Sequence, residues 1–572
     1  MTRIGKGQVL RTVALALSMG LIWATAACGA PQGQEPTKAQ PPATRPSGNV
    51  ALFAPSDGIT ISQHTPLNKW AKLLPEVTNA LRDEGFGKGS ITTKTSDSLD
   101  TQSREVQDYV VDGLTQAGAK GKKDSAAKAK ETTLVIAPVI EASDATRQYG
   151  DYTRSDYPIS KTDNDHGDKD QADGQRRDGA GTNGGDPADK GGKDSQDSQD
   201  AALRRLVSSL NLAKEAGAHV ILLSNPLDGF NPDLFVNMST PEEIGAVQAK
   251  EMVNKLALDK ASSKNPKSIE LLLPYTLSQS DGQVGRGTDG KGSSDSGEGS
   301  QADAQGQEPA ELEDAFASRA FAGVWQVLQP YFKAGKAYSP SNCLTAESKT
   351  EDWTNCALDA DKSSKIREQL DKRLAMTSKA DAHTRIDGII CMNDYVVSGV
   401  IEELDALGYV GSSADVNPTI TLPDLVGSIT GKHDLTRHAV PDPQSPDDQG
   451  TEDQSAGGNS DRHAANQSGD QAAKWPVLVG YGAYLDTIAQ IVNGKEWMTA
   501  LEDRQAMSAG IAVASKALNQ GKDVHQLAGM ESTSMNGGQV PMLHKPLLAV
   551  SASNLKDILI DPGYISLADA GL

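Results

Sequence analysis

From residue 386 to residue 408 the chain reads IDGIICMNDYVVSGVIEELDALG. The segment from Ile386 to Met392, with its apolar run Ile389 to Met392, predicts a buried strand, because a short continuous apolar run is typical of one. Asp394 to Leu407 has the apolar spacing of a helix, and Gly408 is a typical helix stop. A strand that leads directly into a helix is the repeating unit of sheets whose strands run parallel.

The same alternation of strand and helix runs through most of the chain, in two groups. The predicted strands are Asn49 to Ala54, Ser90 to Thr95, Thr133 to Val139, His219 to Ser224, Ile269 to Leu273, Ile386 to Met392, Val426 to Thr430 and Val477 to Val479. The predicted helices are Trp70 to Glu84, Thr101 to Gly113, Ala201 to Gly217, one that runs through Val253, Ala315 to Lys333 and Asp394 to Leu407. Right-handed crossovers then give parallel sheets covered on both faces. The predicted fold class is α/β, with two doubly wound lobes.

Three stretches interrupt this pattern, at about residues 153–200, 279–309 and 438–473. Each consists mainly of Asp, Gly, Ser, Gln and Lys, and has almost no large apolar residue. Such segments cannot bury enough surface to offset the entropy of ordering, so we expect disordered insertions in surface loops.

The N-terminus has the features of a secretory signal peptide over residues 1–28. Basic residues precede an apolar run from Val13 to Ala27, which is shorter than the ~20 residues that cross a bilayer. Small residues then lead to Cys28, an order that resembles the bacterial lipobox, in which the cysteine is acylated. The alternative is an ordinary signal peptide with a cysteine after the cut. Residues 29–48 are rich in Pro, Gln and Thr and predict a flexible tether.

Charge and residue types exclude several classes of function. The 572 residues carry a formal net charge of -21, whereas phosphate backbones are bound by clustered Lys and Arg, so no nucleic-acid partner is expected. No Cys or His pair has the spacing of metal ligands, and we expect no metal or other cofactor. Neither a nucleophile elbow nor a phosphate loop occurs, so an enzyme is not expected.

The remaining three of the four cysteines lie in two different settings. Cys343 and Cys356 are close together in a polar stretch, which in an oxidising compartment predicts a disulfide that closes a short loop. Two free thiols are the alternative. Cys391 lies in the apolar strand of residues 386–392 and is expected in the core.

Four groups of residues share one resemblance. They are Gly323 to Tyr331, Ile389 to Asp394 with Ser398-Gly399 and Leu407 to Tyr409, Ile491 to Lys495, and Leu559 to Tyr564. These segments resemble the xylose-binding and multiple-sugar-binding proteins of bacterial ABC transporters. Their order is collinear from about residue 49 to the C-terminus once the three insertions are removed.

This resemblance implies a type I periplasmic-binding-protein fold, with two lobes joined by a three-strand hinge and a sugar between them. The N-lobe would comprise residues 49–235 and about 505–540. The C-lobe would comprise residues 236–504 and about 541–572. An ABC permease would be the partner.

The candidate ligand-binding residues lie at the ends of predicted strands, where ligands bind in open α/β sheets. The family resemblance assigns sugar binding to Asn393, with hydrogen bonding to the backbone at a turn as the alternative, whereas Asp394 is expected mainly to cap a helix. It also matches Lys69 and Trp70 to a basic residue and a tryptophan of the family. Trp70 could stack on a sugar or pack as the first core residue of its helix. The other candidates are Asn225 and Tyr481.

Two departures bear on the ligand. The family has Asp-Arg where this chain has Asn225-Pro226, and Asp where this chain has Tyr481-Gly482. Those charged groups make bidentate bonds to sugar hydroxyls. The sequence therefore predicts a lipid-anchored, extracytoplasmic sugar receptor of an ABC importer. The alternative is a sensory or interaction lipoprotein on the same scaffold with a degenerate sugar site.

Overall fold

Two mainly parallel β-sheets organise the part of the chain that the computed structural model describes. The described residues are 47–57, 66–115, 129–140, 144–153, 191–275, 309–414 and 473–572. Several sequence-based predictions lie outside them: the signal peptide with Cys28, nearly all of the tether, the strand Val426 to Thr430, and most of the three insertions.

The strands and helices follow each other in the order expected of an α/β protein. The strands are β1 (Asn49–Pro55), β2 (Ile91–Ser96), β3 (Thr132–Ile136), β4 (His219–Leu223), β5 (Leu234–Asn237), β6 (Lys267–Leu271), β7 (Leu273–Pro274), β8 (Ala337–Tyr338), β9 (Ala357–Leu358), β10 (Gly388–Ile390), β11 (Val477–Tyr481), β12 (Met498–Leu501), β13 (Met530–Met535), β14 (Gly538–His544) and β15 (Leu548–Ser551). The longer helices are α1 (Trp70–Asp83), α2 (Leu99–Val110), α3 (Gly191–Glu215), α4 (Pro241–Lys255), α5 (Pro309–Lys333), α6 (Ser363–Leu374), α7 (Asp394–Leu407), α8 (Ile488–Val492) and α9 (Arg504–Asn519).

Strand order defines two lobes of the same topology. The N-lobe sheet has the order β13-β14-β5-β4-β3-β1-β2, and the C-lobe sheet has the order β15-β12-β11-β10-β6-β8. Counted along the chain, the first five strands of each sheet follow the order 2-1-3-4-5, which is the order of a doubly wound sheet. The short strands β7 and β9 pair separately. The predicted fold class is confirmed.

Three chain segments connect the two lobes. The first follows β5 at residues 238–240, the second lies between β12 and α9 at residues 502–503, and the third joins β14 to β15 at residues 545–547. Because each segment passes from one sheet to the other, the three together form the hinge between the lobes.

Capping residues and glycines in the sequence determine where several helices begin and end. Thr240 and Glu243 form a capping box at the start of α4, and Gly408 ends α7 with a φ of 86°. Close packing of α4 on α5 requires Gly323, because a Cβ there would lie 2.0 Å from the backbone oxygen of Glu242.

Two helices begin more than one turn earlier than the apolar pattern indicates. Helix α3 starts at Gly191, not at Ala201, so it overlaps the end of the predicted insertion 153–200; α5 starts at Pro309, not at Ala315. The added turns contain few apolar residues, so hydrophobic periodicity gives no signal there.

The cysteines occupy the predicted settings. Cys343 and Cys356 form a disulfide, with Cα atoms 5.0 Å apart, and Cys391 is fully buried, so both predictions are confirmed. Among the described residues, none of the helices combines the length and the hydropathy that a membrane crossing requires.

Candidate functional site

The carboxyl ends of both sheets border one interlobe cleft. Three non-glycine residues near these strand ends have positive φ: Ser224 after β4 (64°), Met392 after β10 (65°) and Ala483 after β11 (50°). Such backbone conformations cost free energy and cluster at functional sites. Their common position at the strand ends marks the cleft as the candidate site.

A short piece of the chain itself fills this cleft. We call residues 146–153, which follow β3 in the chain, the cleft segment. Its Tyr149 packs in the C-lobe core beside Phe316, with ring centroids 4.8 Å apart. Its Tyr152 packs in the N-lobe core, so the segment is anchored in both lobes. Both tyrosine side chains are buried.

Asn393 faces the cleft segment and also caps a helix. Its Oδ1 accepts a hydrogen bond from the backbone N–H of Val396 at 3.0 Å, at the start of α7. Its Nδ2 donates to Oε1 of Gln148 in the cleft segment at 3.1 Å. The sequence analysis expected the cap at Asp394, not at Asn393; in the structure Asn393 combines the helix cap with an amide donor directed at the cleft.

The C-lobe makes two further hydrogen bonds to Gln148. The hydroxyl of Tyr484 donates to the backbone oxygen of Gln148 at 2.6 Å, and Nε2 of Gln148 donates to the backbone oxygen of Ala360 at 2.9 Å. Tyr484 is a residue that sequence reasoning missed, although it follows β11 only three positions after Tyr481.

Lys69 and Trp70 hold the other end of the cleft segment. Nζ of Lys69 pairs with Oδ1 of Asp151 at 2.9 Å, and the backbone N–H of Trp70 donates to Oδ2 of the same carboxylate at 3.0 Å. The positive end of α1 and the ammonium group thus neutralise one carboxylate. The Trp70 side chain packs edge-to-face on Tyr152, with ring centroids 5.0 Å apart, and is only 3% exposed.

Tyr481 and Asn225 lie beside the segment's tyrosines. The Tyr481 ring lies 6.1 Å from that of Tyr149, and its hydroxyl hydrogen-bonds to Ser239. Burial raises the pKa of Tyr481 well above its ordinary value, so it remains a neutral hydroxyl. Asn225 is 5% exposed, and its Nδ2 donates to Oγ of Ser224, which in turn donates to the backbone oxygen of Tyr152.

Asp394 lies behind the cleft and has a different role from the expected cap. Its carboxylate accepts hydrogen bonds from Oγ1 of Thr499 at 2.8 and 2.9 Å and from the backbone N–H of Tyr484 at 3.1 Å. Burial raises its pKa to about 6. Asn393 provides the helix cap instead, because it precedes the first turn of α7 whereas Asp394 is already within it. Asp394 therefore positions the loop after β11.

Asn68 and Gly150 bring the backbones of the N-lobe and the cleft segment together. The N–H of Asp151 donates to the backbone oxygen of Asn68 at 2.8 Å. Gly150 has a φ of 93°, and a Cβ there would lie 2.7 Å from both Cβ and the backbone oxygen of Asn68. Neither residue belongs to a periodic pattern, so sequence reasoning missed both.

A buried carboxyl group lies where two hinge segments meet. Glu502 accepts hydrogen bonds from the backbone N–H and the hydroxyl of Ser239, and its own N–H donates to Oδ1 of Asn68 at 3.3 Å. Burial, with a smaller contribution from the charges of Glu243 and Asp503, raises its pKa to about 8. The hinge thus contains a carboxyl group that is protonated at neutral pH.

No protein-family model and no curated protein matches the chain. Among solved structures, it is similar to an ABC transporter solute-binding protein from Clostridium phytofermentans with bound β-D-glucose, at 15% identity and a TM-score of 0.44 over 91% of this chain and 99% of that chain. It is also similar to a carbohydrate transporter solute-binding protein from Chloroflexus aurantiacus in complex with D-glucose, at 15% identity and a TM-score of 0.44 over 91% of this chain and 97% of that one. A sugar ABC transporter protein from Actinomyces odontolyticus has 11% identity and a TM-score of 0.43 over 89% and 97% of the two chains. The sugars named here are ligands of those proteins.

The fold of this chain is that of the type I periplasmic binding proteins. Two lobes of strand order 2-1-3-4-5, three connecting segments and a cleft between the carboxyl ends of both sheets define it.

Proposed function

We propose that this protein is an extracytoplasmic solute receptor that binds a sugar between its lobes and delivers it to an ABC importer. The observation that carries the proposal is the convergence of Lys69, Asn393, Tyr484 and Tyr481 from two lobes on one cleft at the strand ends. Amide, hydroxyl and aromatic groups are the chemistry that hydroxyl-rich, neutral ligands require.

The solute would occupy the positions that the cleft segment now fills. Asn393 would donate to a hydroxyl where it now meets Gln148, and Tyr484 would donate where it now meets a backbone oxygen. Lys69 and the N–H of Trp70 would bind an electron-rich oxygen in place of the Asp151 carboxylate. Asn225 lies at the edge of this set.

Binding rather than catalysis is the chemistry that we assign. The buried carboxyl groups Asp394 and Glu502 accept hydrogen bonds from Thr499 and Ser239 behind the cleft, where they position loops. A lipid anchor at Cys28 would hold the receptor on the outer face of the cell membrane, within reach of a permease.

The test is a screen of pentoses, hexoses and oligosaccharides by thermal shift, followed by calorimetry. We expect weaker binding than is usual for this fold, since each missing charged partner of a buried polar group costs about 1–3 kcal/mol, roughly five- to 150-fold.

Two substitutions at Asn393 separate ligand binding from helix capping. Asn393→Ala removes both the cap and the amide donor, so it should abolish binding and cost about 1 kcal/mol of stability. Asn393→Ser retains a capping oxygen and should abolish binding with the stability preserved. Sugar binding by Asn393→Ser at the affinity of the parent would contradict the proposed site.

A further inference from the structure

The cleft segment satisfies the groups that a solute would otherwise bind. Gln148 presents an amide oxygen to Asn393 and a backbone oxygen to Tyr484. Asp151 presents a carboxylate to Lys69 and to the first N–H of α1. Tyr152 places a ring against Trp70. One continuous piece of chain thus makes the polar and aromatic contacts that the proposed function assigns to a bound sugar.

The segment also joins the lobes in a closed arrangement. Tyr149 is part of the C-lobe core, and Tyr152, three residues further along the chain, is part of the N-lobe core. Near the same place, the N–H of Leu67 donates to the backbone oxygen of Gly482 across the cleft at 2.9 Å. In two-lobed receptors a bound ligand also holds the lobes together, because it bonds to both of them at once.

We propose that residues 146–153 are a built-in occupant of the solute cleft that holds the lobes closed without solute and that a solute must displace. The proposal rests on the proposed function for the identity of the competitor, whereas lobe closure by the segment can be tested without any solute. A solute then binds only those molecules whose segment is undocked. Its apparent affinity is therefore the intrinsic affinity multiplied by the undocked fraction.

Gly150 offers a substitution that acts on the docked segment alone. Its φ of 93° and the 2.7 Å approach to Asn68 both exclude a side chain in the docked conformation. An undocked segment has neither restriction. An L-residue at positive φ is disfavoured roughly five- to thirtyfold before the steric overlap is counted. Gly150→Ala should therefore shift the equilibrium towards the undocked segment without altering a residue of the proposed sugar site.

Gly411→Ala is the matched control. Gly411 also has positive φ (100°), but no described residue lies within 4 Å of a Cβ built there. It carries the same backbone penalty outside the cleft segment. A second variant, Gln148→Ala combined with Asp151→Ala, removes the side-chain polar contacts of these two residues to Asn393, Lys69 and α1 and retains both tyrosines.

The first experiment uses no solute. Amide hydrogen exchange of the ligand-free protein should show protection at Asp151, whose N–H is bonded to Asn68. Gly150→Ala and the double variant should lose this protection, and small-angle scattering should show a larger radius of gyration for both. Gly411→Ala should behave as the parent. Rapid exchange at Asp151 in the parent, or scattering that is unchanged in both cleft variants, would overturn the proposal.

The second experiment adds the sugar that the screen identifies. Its affinity should rise about five- to thirtyfold in Gly150→Ala, and the exchange protection of the segment in the parent should be lost on saturation. Equal affinities in the parent and both cleft variants would overturn displacement and leave the receptor function standing. If no sugar binds any of these proteins, the receptor function fails, and the exchange and scattering results alone decide whether the segment holds the lobes closed.

Discussion

Ser239 and Glu502 join two of the three segments that connect the lobes. The backbone N–H and the hydroxyl of Ser239 both donate to Oε1 of Glu502, and the hydroxyl of Tyr481 hydrogen-bonds to the same Ser239 oxygen. All three residues are buried. The hinge therefore has a polar interior, and its carboxyl group, that of Glu502, has a pKa of about 8.

This raised pKa predicts a stability that falls as the pH rises. The folded protein keeps the Glu502 proton up to about pH 8, whereas the unfolded chain loses it near the ordinary value of 4.5. Between these values the folded state binds one more proton, so Glu502 should lower the free energy of unfolding by about 1.4 kcal/mol for each pH unit. Below pH 4.5 its contribution is constant. Denaturant titrations at half-unit intervals from pH 5 to pH 8 measure the slope.

Glu502→Gln isolates this contribution from those of other buried carboxyl groups. The carboxamide oxygen can still accept from Ser239, but the group does not titrate, so the slope should decrease by about 1.4 kcal/mol per pH unit. Glu531→Gln, at an exposed position on β13, is the matched control and should keep the parental slope. Equal slopes for the parent and Glu502→Gln would contradict the assignment.

The disulfide between Cys343 and Cys356 should contribute measurably to stability. The two cysteines are 13 residues apart, and closing a loop of this size is worth about 3 kcal/mol in the chain-entropy model. The double substitution Cys343→Ala and Cys356→Ala should lower the unfolding free energy by about that amount. The parent treated with reductant is the comparison, and it should match the variant. Reductant that leaves the parent's denaturation midpoint unchanged would refute the prediction.

Cys28 should be the first residue of the mature protein and should carry the lipid. Basic, apolar and small residues precede it in the order of a lipoprotein signal. Cys28→Ala should release the protein from membranes or block its processing, as fractionation and mass spectrometry of the N-terminus would report. Unchanged membrane retention with an unmodified N-terminus would exclude the anchor.

Much of the fold could be predicted because its signals are local. The strand β4 is a continuous apolar run, and α7 has both helical spacing and a glycine stop, so each was predicted to within one residue. Helices α6, α8 and α9 and the strands β5, β8, β9 and β12 to β15 were not predicted as elements. Strands β13 and β14 are the clearest case: they alternate or mix polar and apolar residues over a few positions, and β14 joins the sheet through β5, a partner far along the chain.

The site was predictable only in part, since its contacts are long-range. Strand ends led to Asn393 and Tyr481, because parallel strands deliver their carboxyl ends to one edge. The hydrogen bond from Asn393 to Gln148 joins residues that are 245 positions apart, and no sequence pattern around Gln148 predicts it. One signal was present in the sequence: Tyr149 and Tyr152 are two aromatic residues, three apart, in a chain with only 4% aromatics.

Docking of the cleft segment should weaken as the pH rises, through Asp57 at the end of β1. Oδ2 of Asp57 accepts from the N–H of Ala71 at 3.2 Å, and the charged groups that face it are Asp151 and Lys69. Burial first, then a hydrogen bond with Asp151 and the charge of that carboxylate, raise the pKa of Asp57 to about 6. Release of the segment removes Asp151 and should return Asp57 towards its ordinary value of 3.8.

The docked state therefore holds a proton that the undocked state loses. Docking should be strongest below about pH 4 and should weaken as the pH rises through 6. Because Asp57 is only half-buried and solvent screens it, we expect a change of roughly tenfold rather than the hundredfold of a two-unit shift. Exchange protection of the Asp151 amide at pH 3 and pH 7.5, corrected for the intrinsic exchange rate, measures it. Asp57→Asn can neither ionise nor repel Asp151, so its protection should be the same at both pH values. A pH dependence that persists in Asp57→Asn would show that another group controls docking.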